Sequence, residues 1–212
     1  MDKKIKKSLR YSLYEGVATA IMEGSTSSFI VPFAIALNAS VGVIAALAYL
    51  PQLAGAFIHL LSAKIVELVK NRKKILVVAT FFHALLWLPL LFASRIAPDK
   101  PQLIILFIAL QAMLSELIGP VWNSLMGDLV PENERGRFFG KRNVITGVTS
   151  FISATSAGLL LNHFSFNLFI GFAILFSIAF VSRLVSTALK TTLYESKYDL
   201  AYTERFSILG VV

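Results

Sequence analysis

Cysteine is absent from all 212 residues, which excludes disulfides, thiolate catalysis and cysteine-ligated zinc or iron–sulfur sites and leaves the redox compartment open. The three histidines, at 59, 83 and 163, are scattered without metal-ligand spacing, and there is neither a His-Glu-x-x-His motif nor a pair of intramembrane aspartates. No metal, no cofactor and no enzymatic activity are therefore expected. Charge is also scarce. Asp, Glu, Lys and Arg make up 15% of the chain against 56% hydrophobic residues, so a soluble domain would have too much apolar surface to hide. The solvent must be a lipid bilayer. The net charge of +8 does not point to nucleic acid, because the basic residues sit between apolar runs and not on a polar, solvated face.

A span needs about 20 mostly apolar residues, and this length holds six joined by short loops. They are read at residues 13–37, 43–61, 75–94, 103–126, 144–161 and 166–189, the second with a polar helical extension over 62–69. The basic start, Met1 to Arg10, is read as leading into a retained first span and not as a cleaved leader, since the apolar segment after it is long, contains Glu15 and Glu23 and offers no convincing small-x-small cleavage site before a soluble domain. Eighteen of the twenty lysines and arginines fall on one side of such a bundle; Arg95 and Lys100 are the other two. Short basic loops stay in the cytoplasm, which predicts cytoplasmic termini and an integral, multi-pass protein of the plasma membrane, with Asp99 and His163 outside.

Pro32, Pro51, Pro89 and Pro120 each interrupt a span and predict kinks, either structural or part of a gate. Ser150, Ala154 and Gly158 repeat every fourth residue, a small-residue seam for close helix approach. Between spans four and five, Gly127 can end one helix and Pro131 begin a short second one. Glu132 and Glu134 would then lie near its positive end, and Arg137, Lys141 and Arg142 near its negative end.

The order of that island, Asp128-Leu-Val-Pro-Glu-x-x-Arg-Gly-Arg-x-x-Gly140, resembles the loop between the fourth and fifth spans of major facilitator superfamily transporters. The similarity continues in Tyr14-Glu-Gly, Leu50-Pro-Gln-Leu-Ala-Gly, the basic run Lys70-Asn-Arg-Lys-Lys74, Trp87-Leu-Pro and Gly119-Pro-x-Trp-Asn. The resemblance implies an all-α membrane protein, a six-transmembrane-helix bundle forming one half of the major facilitator fold. Residues 1–190 would be the N-terminal bundle and 191–212 the start of a cytoplasmic connector in a chain that looks cut. The implied activity is secondary transport of a small solute by alternating access, beside a second six-span bundle, either a missing C-terminal half or another copy. A homodimeric half-size carrier and a non-transporting scaffold are the alternatives.

An ionisable group at mid-bilayer costs about 2.5–3.5 kcal/mol on insertion scales, so it faces a cavity or a partner. Glu23 on the first span and Glu116 on the fourth lie roughly 15–20 Å from the span ends at 1.5 Å per residue, which makes them the proton or substrate candidates or else buried structural acceptors. Glu15, Thr19, Glu23 and Ser27 form one stripe at i+4 spacing. Glu116, Gly119 and Asn123 share a face of the fourth span, with Gln111 and Trp122 on a neighbouring one, and Gln52, Gly55 and His59 share a face of the second. His83 is assigned to helix packing. In the basic loop the family's aspartate position holds Leu68 and the nearest acid is Glu67, so Glu67 is expected to pair with Arg135 or Arg137 in a loop network that also includes Arg72 and Asp128.

Overall fold

The computed structural model describes residues 3–96 and 102–195, and every regular element among them is helical. Eight α-helices follow in order: α1 Lys3–Thr26, α2 Ile30–Ala36, α3 Val41–Val69, α4 Arg72–Leu85, α5 Trp87–Ile96, α6 Gln102–Leu129, α7 Arg135–His163 and α8 Leu168–Thr191. They make six rods, because α1 continues into α2 and α4 into α5. Among the described residues, five stretches are long and apolar enough to cross a membrane: Val41–Val69, Arg72–Phe92, Gln102–Leu129, Glu132–His163 and Ser165–Thr191. The first rod is the exception. It carries Arg10, Glu15 and Glu23 and is interrupted at residues 27–29. Asp99, Lys100 and the segment beyond Glu195 lie outside the described residues.

The prolines divide into two kinds. Pro32 and Pro89 each stand third in a new helix, just after the breaks at 27–29 and at Leu86, where a ring without N–H removes the bond to the carbonyl four residues back. Pro51 and Pro120 lie inside continuous helices. Two reversals are closed by polar caps. Ser40 Oγ accepts from Val43 N at 3.4 Å after Asn38 turns the chain at φ 55°, and Asn71 Oδ1 accepts from Lys74 N at 2.8 Å after Lys70 ends α3 at φ 53°.

The polar island differs from the expected short helix. α6 runs through Gly127 to Leu129, Pro131 is extended at ψ 142°, and a single 3-10 turn, Glu132–Glu134, leads straight into α7. Arg137, Lys141 and Arg142 therefore occupy the first two turns of a long helix, its positive end, and oppose the dipole that they were expected to complement. Such opposition costs about 0.3–1 kcal/mol per exposed charge. Arg142 offsets it through tertiary partners described below.

α3 packs on α6, α1 between α7 and α8, and α4 against α6 and α8. Two apolar clusters are stacked along the bundle. One, away from the termini, centres on Phe33, Trp87, Phe172 and Phe176, with Phe33 5.0 and 4.8 Å from the other two phenylalanine rings. The other, near the termini, joins Leu9, Leu76, Trp122, Leu125, Met126 and Leu193. Close approach depends on small residues. A Cβ on Gly24 would stand 2.3 Å from the carbonyl oxygen of Ser150, the first member of the seam on α7, and one on Gly55 would stand 2.8 Å from Cγ of Glu116.

Tyr194 N donates to Ser8 Oγ at 2.7 Å, and Glu195 Oε2 accepts from Lys73 N at 2.6 Å, so both described ends and the α3–α4 reversal meet at one end of the bundle. The α6–α7 reversal joins them there, since Asp128 reaches Arg72. This is the basic end.

Candidate functional site

Beside the two apolar clusters the helices present polar side chains to one another, and four groups of them form. The most buried is built on Glu15, 2% exposed, in the fourth turn of α1. Its Oε1 accepts from Thr19 Oγ1 at 2.9 Å, from Ser186 Oγ at 3.0 Å and from Lys190 Nζ in a short ion pair. Its Oε2 takes Arg142 Nη2 at 3.4 Å. Arg183 Nη1 donates to Thr19 Oγ1 at 3.0 Å, and Arg142 lies flat over the Trp122 ring, 3.9 Å from its centroid. Glu15, Thr19, Arg142, Ser186 and Lys190 thus tie α1 to α7 and α8, and Trp122 brings in α6. Four donors, two of them cationic, are what makes a carboxylate tolerable at this depth.

The second group surrounds a cavity of about 380 Å³ between α1, α3, the α4–α5 rod and α6. Glu23, Ser27 and Ser115 stand at its open side and His83, Trp87 and Gln111 at its inner wall. His83 is 3%, Trp87 3% and Gln111 6% exposed, yet among the described residues His83 Nδ1, Trp87 Nε1 and Gln111 Nε2 have no hydrogen-bond partner. An unmet buried donor or acceptor costs about 1–3 kcal/mol.

The third group is a pair across the α3–α6 contact, His59 Nδ1 to Glu116 Oε2 at 2.8 Å, with both side chains about half exposed. The fourth lies at the basic end. Arg72, 1% exposed, binds Asp128 Oδ2 at 2.7 Å, Ser124 Oγ at 3.0 Å and Glu195 Oε1 at 3.5 Å, fastening α4 to α6 and to the segment after α8.

The sequence candidates fall unevenly among these groups. Glu23 and Ser27 line the cavity, Glu116 pairs with His59, Thr19 joins the Glu15 network and Trp122 lies under Arg142. Gln52 and Asn123 are exposed, on faces of α3 and α6 next to the His59–Glu116 pair. Arg72 and Asp128 form the loop link, whereas the expected partnership of Glu67 is corrected. Glu67 is exposed and makes no ion pair among the described residues. Arg135 donates to Gly127 O at 2.8 Å and Val130 O at 3.3 Å and approaches Glu132 at 3.7 Å, and Arg137 is exposed. The acid that spans the gap is Asp128, because α6 extends far enough to bring it beside the N-terminus of α4.

In the sequence Arg183 and Lys190 stand only among the basic-side charges, and Ser186 carries no expectation. Their i, i+3, i+7 spacing within an apolar span marks an inward polar face. Thr80, His83 and Trp87 show the same pattern on the α4–α5 rod, where the buried His83 ring packs 6.3 Å from that of Trp87. Among the described residues no three His, Asp or Glu side chains come together as a metal site.

A helical bundle whose spans carry paired and cavity-lining polar side chains is the fold of a membrane-embedded transporter. The family model of the Major Facilitator Superfamily matches residues 16–207, nearly the whole chain, and the protein belongs to that superfamily, whose members are transporters and not enzymes. No curated protein and no solved structure matches it.

Proposed function

We propose that this chain is one six-span bundle of a secondary transporter that moves a small solute by alternating access, with a second six-span bundle facing it. One observation carries this reading: Gln52, His59, Ser115, Glu116 and Asn123 are exposed on faces of α3 and α6, within apolar spans, and Glu23 on α1 and Ser27 just after it are exposed around the same cavity as Ser115. Lipid tails cannot satisfy such groups. A second bundle enclosing a wet cavity can, and the cavity behind Glu23 then opens into the solute path. Either a C-terminal half or a second copy supplies that bundle. The bundle lies in the plasma membrane with its basic end in the cytoplasm, supported by the gathering of both described ends and two basic reversals there.

The cysteine-free chain makes the test direct. In the full-length protein, single cysteines at Ser27, Gln52 and Asn123 are labelled with a membrane-impermeant maleimide from either face of sealed vesicles. Alternating access expects Ser27 to react from both faces, at rates that change in opposite directions when the basic end is locked by a crosslink. Reaction from one face alone, unaffected by the lock, removes the mechanism. The mass of the complex in nanodiscs distinguishes a homodimer from a single longer chain.

A further inference from the structure

We propose that the groove between the start of α4 and the end of α8 holds an anionic phospholipid of the leaflet at the basic end, with its phosphate at Lys73 and Lys74 and an acyl chain along Val77 and Val78. The site is separate from the solute path and stands apart from the transporter reading above.

The order of the rods puts this groove against lipid. α3 packs on α6, α6 on α4, the α4–α5 rod on α8, α8 on α1 and α1 on α7, so the outer side of the seam between α4–α5 and α8 is turned away from the polar faces of α3 and α6. Val78, Phe92, Ile170, Ile178 and Val181 are exposed along it, and each lines one of two recesses in the seam. The recess at the basic end has a volume of about 620 Å³, bounded by Asn71, Lys73, Lys74, Val77 and Val78 on one side and by Thr191 and Glu195 on the other. From Asn71 to Val78 the chain descends roughly 10 Å at 1.5 Å per residue, and a polar mouth gives way to an apolar floor. Lys74, Val78, Phe81 and Phe82 share one exposed face of α4, at i, i+4, i+7 and i+8, which extends the floor along the path of a lipid chain.

Charge decides the headgroup. Neither the Lys73 nor the Lys74 ammonium has an ion-pair or hydrogen-bond partner among the described residues. The acid that lines the recess is already engaged, because Glu195 accepts from Arg72 N at 3.3 Å and Lys73 N at 2.6 Å and faces the buried Arg72 guanidinium at 3.5 Å. The first amides of α4 are therefore capped from within the chain, and the two lysine side chains are what the recess offers an anion. Lysine stems lie along apolar surface while their ammonium groups reach headgroup level, which suits Val77 and Val78 one turn below Lys73 and Lys74. A zwitterionic lipid would bring a second, positive group to a mouth whose carboxylate is occupied. A soluble anion would leave the valine floor unfilled. An anionic phospholipid meets neither objection, and basic pockets between spans bind such lipids. The other recess on the same seam, about 880 Å³ between α5 and α8, is larger but has no charged residue in its lining, so it offers contact to a chain without selecting a headgroup.

The test uses full-length protein purified in a mild detergent, with adducts counted by native mass spectrometry as dioleoylphosphatidylglycerol, dioleoylphosphatidylcholine or glycerol 1-phosphate is titrated. Phosphatidylglycerol should saturate one strong site about tenfold more tightly than phosphatidylcholine does. A lysine beside an anionic headgroup contributes about fivefold in binding, so Lys74→Gln should weaken the site about fivefold, and Lys73→Gln with Lys74→Gln should bring it to the phosphatidylcholine level. Val78→Trp, which fills the floor and keeps both charges, should weaken both lipids about threefold or more. Lys64→Gln, exposed on α3, and Ala173→Trp, in the uncharged recess, should change phosphatidylglycerol binding by less than about twofold. Size-exclusion profiles report folding, and the single variants at Lys74 and Val78, both exposed, keep the test open if the double variant fails to fold. Equal affinity for the two phospholipids, or no adduct with either, overturns the proposal. A phosphatidylglycerol preference that falls as far with Lys64→Gln as with Lys74→Gln, or binding that Val78→Trp leaves unchanged, is diffuse attraction and overturns the site. Displacement of the phospholipid by glycerol 1-phosphate at equal concentration overturns the lipid in favour of a soluble anion.

Discussion

The two ends of the bundle are held by different physics. At the basic end, directional charged contacts centred on Glu15 and Arg72 join α1, α4, α6, α7 and α8 beside the apolar cluster of Leu9, Leu76, Leu125 and Met126. At the opposite end the same rods meet through the rings of Phe33, Trp87, Phe172 and Phe176 and the aliphatic groups around them. Lipid tails are as apolar as these side chains, so burying rings against rings gains packing but little hydrophobic drive, and one good packing is nearly as favourable as the next. An ion pair has no such neighbours in energy. The basic end therefore sets register and the opposite end tolerates adjustment.

The comparison is broken most severely at Glu15. Glu15→Ala leaves Lys190 and Arg142 buried beside no carboxylate, and its expected cost is about 3–5 kcal/mol. Thermal unfolding of purified protein in detergent should show it as a large fall in midpoint. The double variant Glu15→Leu with Lys190→Met, which removes both ends of the closest pair, should recover much of the loss. Equal damage in single and double variants would mean that the cluster acts through packing alone.

Arg72→Lys comes next. The guanidinium reaches Asp128, Ser124 and Glu195 at once, which a lysine ammonium on a flexible stem cannot reproduce. Losing one charge-assisted bond should cost about 1.5–3 kcal/mol. Unfolding midpoints and faster proteolysis after α8, where Glu195 caps the α4 N-terminus, would both report it.

At the opposite end Phe172→Leu keeps an apolar side chain of broadly similar bulk, and repacking should hold the cost below about 1.5 kcal/mol. Loss as large as that at Arg72 would show that the aromatic layer is as specific as the charged one and would erase the contrast.

What was legible in the sequence follows the same division. Apolar length and its interruptions located six rods, and the spacing of Ser150, Ala154 and Gly158 located the face where Gly24 closes on α7, because periodicity is a local property. The facing stripes with Glu116 and His59 were visible as stripes, though not as a pair, since the pairing depends on how α3 and α6 cross. The Glu15 cluster was hidden for a different reason. Lys190, Arg142 and Arg183 look like all other positive charges at a membrane boundary, and whether each is solvated or buried depends on α1, whose Glu15 and Thr19 lie 175, 127 and 164 residues away in sequence. Arg137, one turn before Arg142, is exposed, and nothing local separates the two.

The smallest expected effect tests that point where it misled. Glu67 lies nearest the sequence position of the family's aspartate, yet it projects from α3 into solvent, whereas Asp128, at the end of α6, reaches buried Arg72 at 2.7 Å. Exposed ion pairs contribute about 0–1 kcal/mol even when formed, and Glu67 forms none with Arg135, whose guanidinium is engaged by Gly127 O and Val130 O. Glu67→Gln should therefore change stability by less than about 0.5 kcal/mol, and a double-mutant cycle between Glu67 and Arg135 should give no coupling. The parallel cycle between Asp128 and Arg72 should give a coupling above about 0.5 kcal/mol, because the partners share a hydrogen-bonded contact with one side chain fully buried. Coupling at Glu67 with none at Asp128 would shift the charged link at the basic end from α6 to α3 and reverse the assignment of the acid that joins these helices.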